Sequence, residues 1–298
     1  MRRHNERFRR FAASFALCAA ATLAGCFHKT QDHRVVALPP GAVAITPLAN
    51  GRVAVLAGDD VGKSVYVVNA SDGSVVHSFG VTREATGLTS AGANGPLLLP
   101  VGGSSPDGHT FGAVERWTLS GKKDAVLAMP GPAMGVTTVV DGTAYALVDA
   151  GGARSAIPFD VATLRPGTAV GLAQDDRGLQ RCKTASTDYL VYTSGDGTLA
   201  ARELGHGRVR HSHVEGENPE CLGGIGKVVA IAKTAFARTI AVLDLPGLVE
   251  RRAVPVSTTA SAAYAAPSHQ LEVLDSAADA SYIEFVPEQQ IDGSDHTQ

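Results

Sequence analysis

Short β-branched segments recur along this 298-residue chain at an interval of about 42 residues. They are Val65-Tyr-Val-Val-Asn69, Ala113-Val-Glu-Arg-Trp117, Ala156-Ile-Pro-Phe-Asp160, Leu199-Ala-Ala-Arg-Glu203, Ile240-Ala-Val-Leu-Asp244 and Tyr282-Ile-Glu-Phe-Val286. Their centres, at 67, 115, 158, 201, 242 and 284, are spaced by 48, 43, 43, 41 and 42 residues. A fixed period of this length means that each unit is one supersecondary element stacked against its neighbours.

Turn chemistry divides each unit. Most of these segments lead through a glycine-bearing turn, such as Ser71-Asp-Gly73, Ser120-Gly121, Gly205-His-Gly207 or Pro246-Gly247, into another short strand. Glycine there supplies the positive φ that a tight hairpin requires. The preceding half of each unit is also a hairpin, turning at Asn50-Gly51, Asn94-Gly95, Asp141-Gly142, Thr187-Asp188, Gly223 to Gly226 and Pro267-Ser268. Further turns join the two halves at Gly58 to Gly62, Asp149 to Gly152, Ser194 to Gly197 and Asp275 to Asp279. No stretch shows a long 3.6-residue apolar period, so the chain reads as all-β. Four short antiparallel strands per unit of about 40 residues make the blade of a β-propeller.

Six third strands imply six blades. The last unit ends near Pro287 without a fourth strand, and His33 to Leu38 is an orphan strand ahead of the first unit. The N-terminal strand is therefore expected to complete the last blade and close the ring, which removes the exposed edge of an open sheet. Seven blades remain the alternative if the longer second unit conceals another hairpin. Its insert, Gly102 to Gly112, reads as a loop. The propeller is expected to span 33–287, followed by a polar tail, 288–298, expected to lack order.

The N-terminus gives an address. Arg2, Arg3, Arg7, Arg9 and Arg10 precede an uncharged apolar run, Phe11 to Ala24. That run is shorter than the roughly 20 residues a membrane-spanning helix needs and reads as a secretory signal, 1–25. Its end, Leu23-Ala-Gly-Cys26, resembles the lipobox of bacterial lipoproteins. The resemblance implies cleavage before Cys26, lipidation of its sulfur (diacylglycerol, with palmitate-type chains) and a short linker, 26–32, on the extracytoplasmic side of a membrane. Two or more acyl chains anchor stably where one does not. In a Gram-negative host Phe27, standing where Asp signals inner-membrane retention, favours the periplasmic face of the outer membrane; in a Gram-positive host the site is the cell surface.

Four cysteines then have separate accounts. Cys18 is lost with the signal and Cys26 is lipidated. Cys182 and Cys221 remain in an oxidising compartment, where two thiols most simply pair; two buried free thiols are the alternative. They lie 19 and 21 residues before the centres of their units' third strands, near the start of the inner strand, so they would staple adjacent blades.

Ser64 to Val81 reads as a Val-rich strand, an Asn, a Gly turn and another Val-rich strand. It resembles bacterial YVTN-type propeller repeats, which are similar to WD40 blades; later units match less closely. The resemblance implies an architecture and carries no catalytic motif.

Residues 1–25 hold five Arg and one Glu, so the remaining chain carries about −7 of the overall −3. With no basic stripe, nucleic-acid binding lacks its electrostatic footprint. No nucleophile elbow, His-Glu-x-x-His, Cys-x-x-Cys or phosphate loop occurs, and no cofactor motif. Three weaker patterns remain. His206, His211 and His213 fit metal ligation or a polar outer strand. The acids Asp59, Asp60, Asp175, Asp176, Asp196 and Asp275 fit a cation in a central channel or ordinary turns. Trp117, the lone tryptophan, fits a binding aromatic or blade-to-blade packing. The reading favours a binding or scaffold module for an envelope protein or polymer over an enzyme. The alternative is a metal-assisted, lactonase-like hydrolase using the channel, and a quinone-dependent redox propeller is a more remote one.

Overall fold

The computed structural model describes residues 33–291, apart from 60, 223–225, 234–236, 267–269, 278–279 and 288–289. From Arg34 onward the chain forms six four-stranded antiparallel sheets. β1 (Arg34–Leu38) precedes blade one, which is β2 (Ala42–Leu48), β3 (Arg52–Gly58), β4 (Lys63–Asn69) and β5 (Val75–Val81). Blade two is β6 (Thr89–Ser90), β7 (Leu97–Ser104), β8 (Thr110–Trp117) and β9 (Lys123–Met129). Blade three is β10 (Ala133–Val136), β11 (Thr143–Ala150), β12 (Ala153–Asp160) and β13 (Val170–Leu172). Blade four is β14 (Arg177–Lys183), β15 (Asp188–Thr193), β16 (Thr198–Glu203) and β17 (Val209–Glu215). Blade five is β18 (Glu217–Leu222), β19 (Lys227–Lys233), β20 (Arg238–Asp244) and β21 (Val249–Val256). Blade six is β22 (Ala260–Ala266), β23 (Gln270–Ala277), β24 (Ala280–Pro287) and, outermost, β1, paired from Arg34 with Phe285 to Leu38 with Ser281. The protein is a six-bladed β-propeller closed by its N-terminal strand.

The second and third strands of each blade are covered on both faces by neighbouring blades, so they read as continuous apolar runs rather than alternating ones. Val53, Ala54, Val55 and Leu56 are all fully buried. Apolar clusters fill the seams: Ile45, Val55, Leu274 and Ile283 between blades six and one, and Leu56, Val65, Leu97 and Leu99 between one and two. The seam between blades three and four is built differently. Buried Arg181 donates from Nη1 to the carbonyl oxygens of Val140 (2.8 Å) and Thr143 (3.3 Å), pairs with Asp188, and lies 5.8 Å from the Tyr145 ring centre.

Antiparallel order gives the ring two ends. The turns joining second to third strands, and the links from one blade to the next, lie at the upper end. The hairpin turns joining first to second and third to fourth strands lie at the lower end. The chain enters the propeller at Arg34, on the lower end.

Three sequence expectations are corrected. Gly102 to Gly112 is not a loop: β7 and β8 pair through it, Gly102 opposite Gly112, leaving only Ser105 to His109 as the turn. Glycine serves there by closeness, since a Cβ on Gly112 would lie 1.7 Å from the Gly131 carbonyl oxygen. The inner strands begin earlier than expected, so Cys182 and Cys221 stand next to last in β14 and β18 rather than near their starts. Finally, the residues after Pro287 do not all stand apart from the core, because Ile291 is buried against Val286 and Leu271.

Candidate functional site

The six inner strands enclose a central channel of about 570 Å³. Each of these strands carries one extra residue at the same height. In blades one, three, four, five and six the register slips by one between Ala42 and Ala44, Ala133 and Gly135, Arg177 and Gln180, Glu217 and Glu220, and Ala260 and Ala262. Blade two slips likewise between the Ala85–Val101 bridge and the Thr89–Leu98 pair. A β-bulge bends its strand and re-aims a side chain. Here six bulges put Val43, Leu88, Met134, Leu179, Asn218 and Ser261 among the residues lining the upper part of the channel.

Below the bulges a belt of hydrogen bonds crosses every seam. Ser90 N–H donates to Thr46 Oγ1 (3.1 Å), and Thr89 Oγ1 donates to the Val136 carbonyl (2.9 Å). The Thr138 backbone N–H donates to Gln180 Oε1 (2.6 Å), and Gln180 Nε2 donates to Glu220 Oε2. Glu220 also accepts from the Ala265 backbone, and the Tyr264 hydroxyl bonds to the backbone of Ile45, which completes the circuit. Buried polar groups need such partners.

Among the described residues, the ionisable groups lining the channel apart from the Tyr264 phenol are Arg177, at the upper mouth, and Glu220, at mid-depth. Burial pushes the Glu220 carboxyl up to about 8, against the opposing hydrogen bonds from Gln180 and Ala265. Burial, with the Glu220 carboxyl nearby, pushes Tyr264 up to about 12. Both are thus held towards their protonated forms by burial. Among the described residues no three His, Cys, Asp or Glu side chains converge as a metal site requires.

The sequence-derived candidates are placed as follows. Cys182 and Cys221 are joined by a disulfide across blades four and five, with Cα atoms 5.5 Å apart. Cys26 and Asp60 lie outside the described residues. His211 and His213 are exposed on outer strand β17, and His206 precedes it in the lower turn, 3.9 Å from Glu203. Asp59 accepts from the N–H groups of Val61 (2.8 Å) and Gly62 (3.2 Å), and Asp196 from Ser194 (2.6 Å) and Thr198 (2.9 Å), so both organise their own turns. Those bonds hold Asp196 down to about 2. Asp275 accepts from the Thr259 hydroxyl, and buried Asp176 accepts from Ala173 N–H (2.9 Å). Trp117 packs in the seam of blades one and two, its ring stacked 6.0 Å from Phe79 and its Nε1 donating to buried Glu115 (2.9 Å). Sequence reasoning missed the bulges, the belt and the two glutamates whose carboxyls burial raises, Glu220 and Glu272. The one hint was a Glu inside each strand-like run.

No family model matches the chain, and no curated protein does. Solved structures do. The chain is similar to a chain of the mitotic checkpoint complex, at 12% identity and a TM-score of 0.59, over 87% of this chain and 96% of that one. It is similar to the Cps50 (Swd1) β-propeller domain of Myceliophteria thermophila, at 11% and 0.55, over 82% and 97%. It is also similar to a chain of the hydrazine synthase of Kuenenia stuttgartiensis, at 14% and 0.53, over 84% and 95%. Likenesses at this identity bear on the fold alone. They bear it out: the chain is a WD40-like propeller.

Proposed function

We propose that this protein is a lipid-anchored, extracytoplasmic propeller that acts as a binding or scaffold module for a protein of the cell envelope. The observation that carries the reading is an uneven upper face. Blades one to three expose four large apolar side chains there: Val61 (88%), Val43 (47%), Phe111 (40%) and Met134 (39%). Val43 and Met134 line the channel mouth, while Val61 lies in the turn joining second to third strands of blade one and Phe111 is the second residue of β8, beside the corresponding turn of blade two. Scattered single apolar residues are ordinary on a surface, but several on one face of one end mark a contact region. The chain enters at the opposite, lower end, so an anchor at Cys26 leaves this face open. Only seven residues separate Cys26 from Arg34, a reach of at most about 28 Å, which keeps the propeller close to its membrane. In a Gram-negative host that membrane is the outer one, seen from the periplasm.

The test is chemical crosslinking in the native envelope, followed by recovery of the tagged protein in detergent and mass spectrometry. One partner at near-stoichiometric yield, lost in a Phe111→Asp, Met134→Asp variant that still folds, is the expected result. An empty recovery, or a partner that ignores the variant, overturns the docking face. Release of a Cys26→Ala variant from the membrane fraction tests the anchor separately.

A further inference from the structure

The channel wall is rich in hydrogen-bond acceptors, and most of its donors are already committed. Four hydroxyls on lining residues spend their O–H inside the protein: Thr86 on the Ala133 carbonyl (2.9 Å), Thr89 on the Val136 carbonyl (2.9 Å), Thr138 on Gln180 Oε1 (3.0 Å) and Ser261 on the Leu274 carbonyl (3.1 Å). Each keeps oxygen lone pairs, so what it offers a guest is an acceptor. The two wall amides each commit an N–H as well, Gln180 Nε2 to Glu220 and Asn218 Nδ2 to the Ser261 carbonyl (2.8 Å). At mid-depth stands the Glu220 carboxyl, 6% exposed. It accepts from Gln180 and from the Ala265 backbone, and an ionised carboxylate has room for about two further donors. Few charged groups surround it. Arg177 of β14 is engaged by Glu217 (3.7 Å) at the rim, β22 presents the Tyr264 phenol, and β19 sets Val229 opposite. Arg181 and Asp188, on β14 and β15, pair with each other. Above Glu220 the lining is apolar at Val43, Leu88, Met134 and Leu179. Glu220 lies two residues below Asn218 of the bulge, about 7 Å along the strand.

We infer that the channel is a binding site for a primary ammonium group on an unbranched apolar stem, the stem lying among Val43, Leu88, Met134 and Leu179 and the ammonium reaching Glu220 beside the Gln180–Thr138 pair of the belt. An ammonium carries three donors and no acceptor, which matches a wall of acceptors. A hard metal ion requires several converging oxygen anions, and no such group stands among the described residues. The depth suits a stem of about four carbons, the length of a lysine side chain. Burial raises the Glu220 carboxyl, whereas a cation within hydrogen-bond distance favours its charged form, so a guest that enters as a cation drives a proton off. The inference goes beyond the docking face, since it needs only the channel.

The experiment titrates n-butylammonium chloride, with n-butanol as its uncharged counterpart, into the full-length protein in a non-ionic detergent. Heats are read by calorimetry near neutral pH in phosphate and in MOPS, buffers of different ionisation enthalpy. The amine should bind at least about tenfold tighter than the alcohol, the difference a charge-assisted hydrogen bond makes. Its heats should differ between the buffers, reporting the released proton, and its affinity should rise by up to about tenfold per pH unit below neutrality. Glu220→Gln, with the circular dichroism of the parent, should bind amine and alcohol alike and lose the buffer dependence. Leu179→Trp, which fills the channel above an intact Glu220, should lose the amine. No amine binding, equal affinity for amine and alcohol, equal heats in the two buffers, or amine binding that survives either folded variant overturns the inference. Competition in the crosslinking assay then assigns the source of the group. Displacement of the envelope partner by n-butylammonium makes the occupant a lysine of that partner; a partner that stays makes it a free amine. An empty recovery sinks the docking face and spares this site, while a recovered partner with no amine binding does the reverse.

Discussion

Glu272 lies on β23 between Tyr264 of β22 and Phe285 of β24, with Arg34 of β1 next in the same row, so it sits within the seam that closes the ring. It is 4% exposed, and its Oε2 atom has no hydrogen-bond partner. Burial pushes its carboxyl from 4.5 up to about 8, and the charge of Arg34 offsets only part of this. The sign follows from linkage. Between pH 4.5 and 8 the folded chain holds a proton that the unfolded chain has released, so stability falls as pH rises. Each pH unit costs about 1.4 kcal/mol for one such group, which makes about 3 kcal/mol by pH 7 and up to about 5 kcal/mol above pH 8. Glu272→Gln keeps the shape and removes the titration. The variant should match the parent near pH 5, be about 3–5 kcal/mol more stable near pH 8.5, and unfold roughly 6–12 °C higher at pH 7. Urea unfolding from pH 5 to 9 reads this directly, with the single tryptophan, Trp117, as fluorophore. Glu220 contributes a similar slope, so the double variant with Glu220→Gln should be nearly flat. A Glu272→Gln variant whose stability falls with pH as steeply as the parent's would refute the argument.

Three further perturbations separate the forces in the ring. Replacing Cys182 and Cys221 by Ala opens a loop of sequence separation 39, which the chain-entropy model values at about 4 kcal/mol; a reductant should lower the melting temperature of the parent and leave the double variant unmoved. Arg181→Met strips the donors from Val140, Thr143 and Asp188 in the seam of blades three and four, and should cost about 3–5 kcal/mol in urea unfolding, with Arg181→Lys recovering only part. Gly112→Ala forces a Cβ to 1.7 Å from a backbone oxygen and should cost about 1–3 kcal/mol, whereas Gly80→Ala, with nothing within 4 Å, should be near neutral in the same thermal scan.

The architecture was legible because blade formation depends on local chemistry that repeats. Third strands such as Val65 to Asn69 are apolar on both faces, and Gly or Asn marks their turns. Ring closure was legible from bookkeeping alone, a strand missing at one end and spare at the other, and so was the pairing of the two cysteines across neighbouring blades. The inner strands were harder to see. Arg177-Gly-Leu-Gln-Arg-Cys-Lys183 and Glu217-Asn-Pro-Glu-Cys-Leu222 lack β-branched residues, because one edge of an inner strand faces the channel and its polar side chains find partners on the next blade. That is why β14 and β18 begin earlier than their composition suggests. The bulges left no trace either, since one residue per blade disappears within the scatter of a period that runs from 41 to 48.

Where the repeat is strict, a residue serves the frame; where six equivalent positions differ, the difference has another cause. The bulge carries Val43 in blade one, Met134 in blade three and Ser261 in blade six, while in blade five it carries Asn218 at a positive φ of 50°, as Gly178 does at 60° in blade four. Val43 and Met134 stand part-exposed at the mouth, whereas Asn218 Nδ2 donates across the seam to the Ser261 carbonyl (2.8 Å) and Ser261 Oγ to the Leu274 carbonyl (3.1 Å). The mouth is therefore apolar on the side of blades one to three and polar on the side of blades five and six. A partner that fits it must be equally lopsided, apolar where it meets Val43 and Met134 and hydrogen-bonding where it meets Asn218 and Ser261. Exchanging the two halves, by Met134→Ser with Ser261→Met, leaves composition and fold alone and reverses the mouth. Binding that survives the exchange in the crosslinking assay would place the partner elsewhere; binding that is lost would place it here.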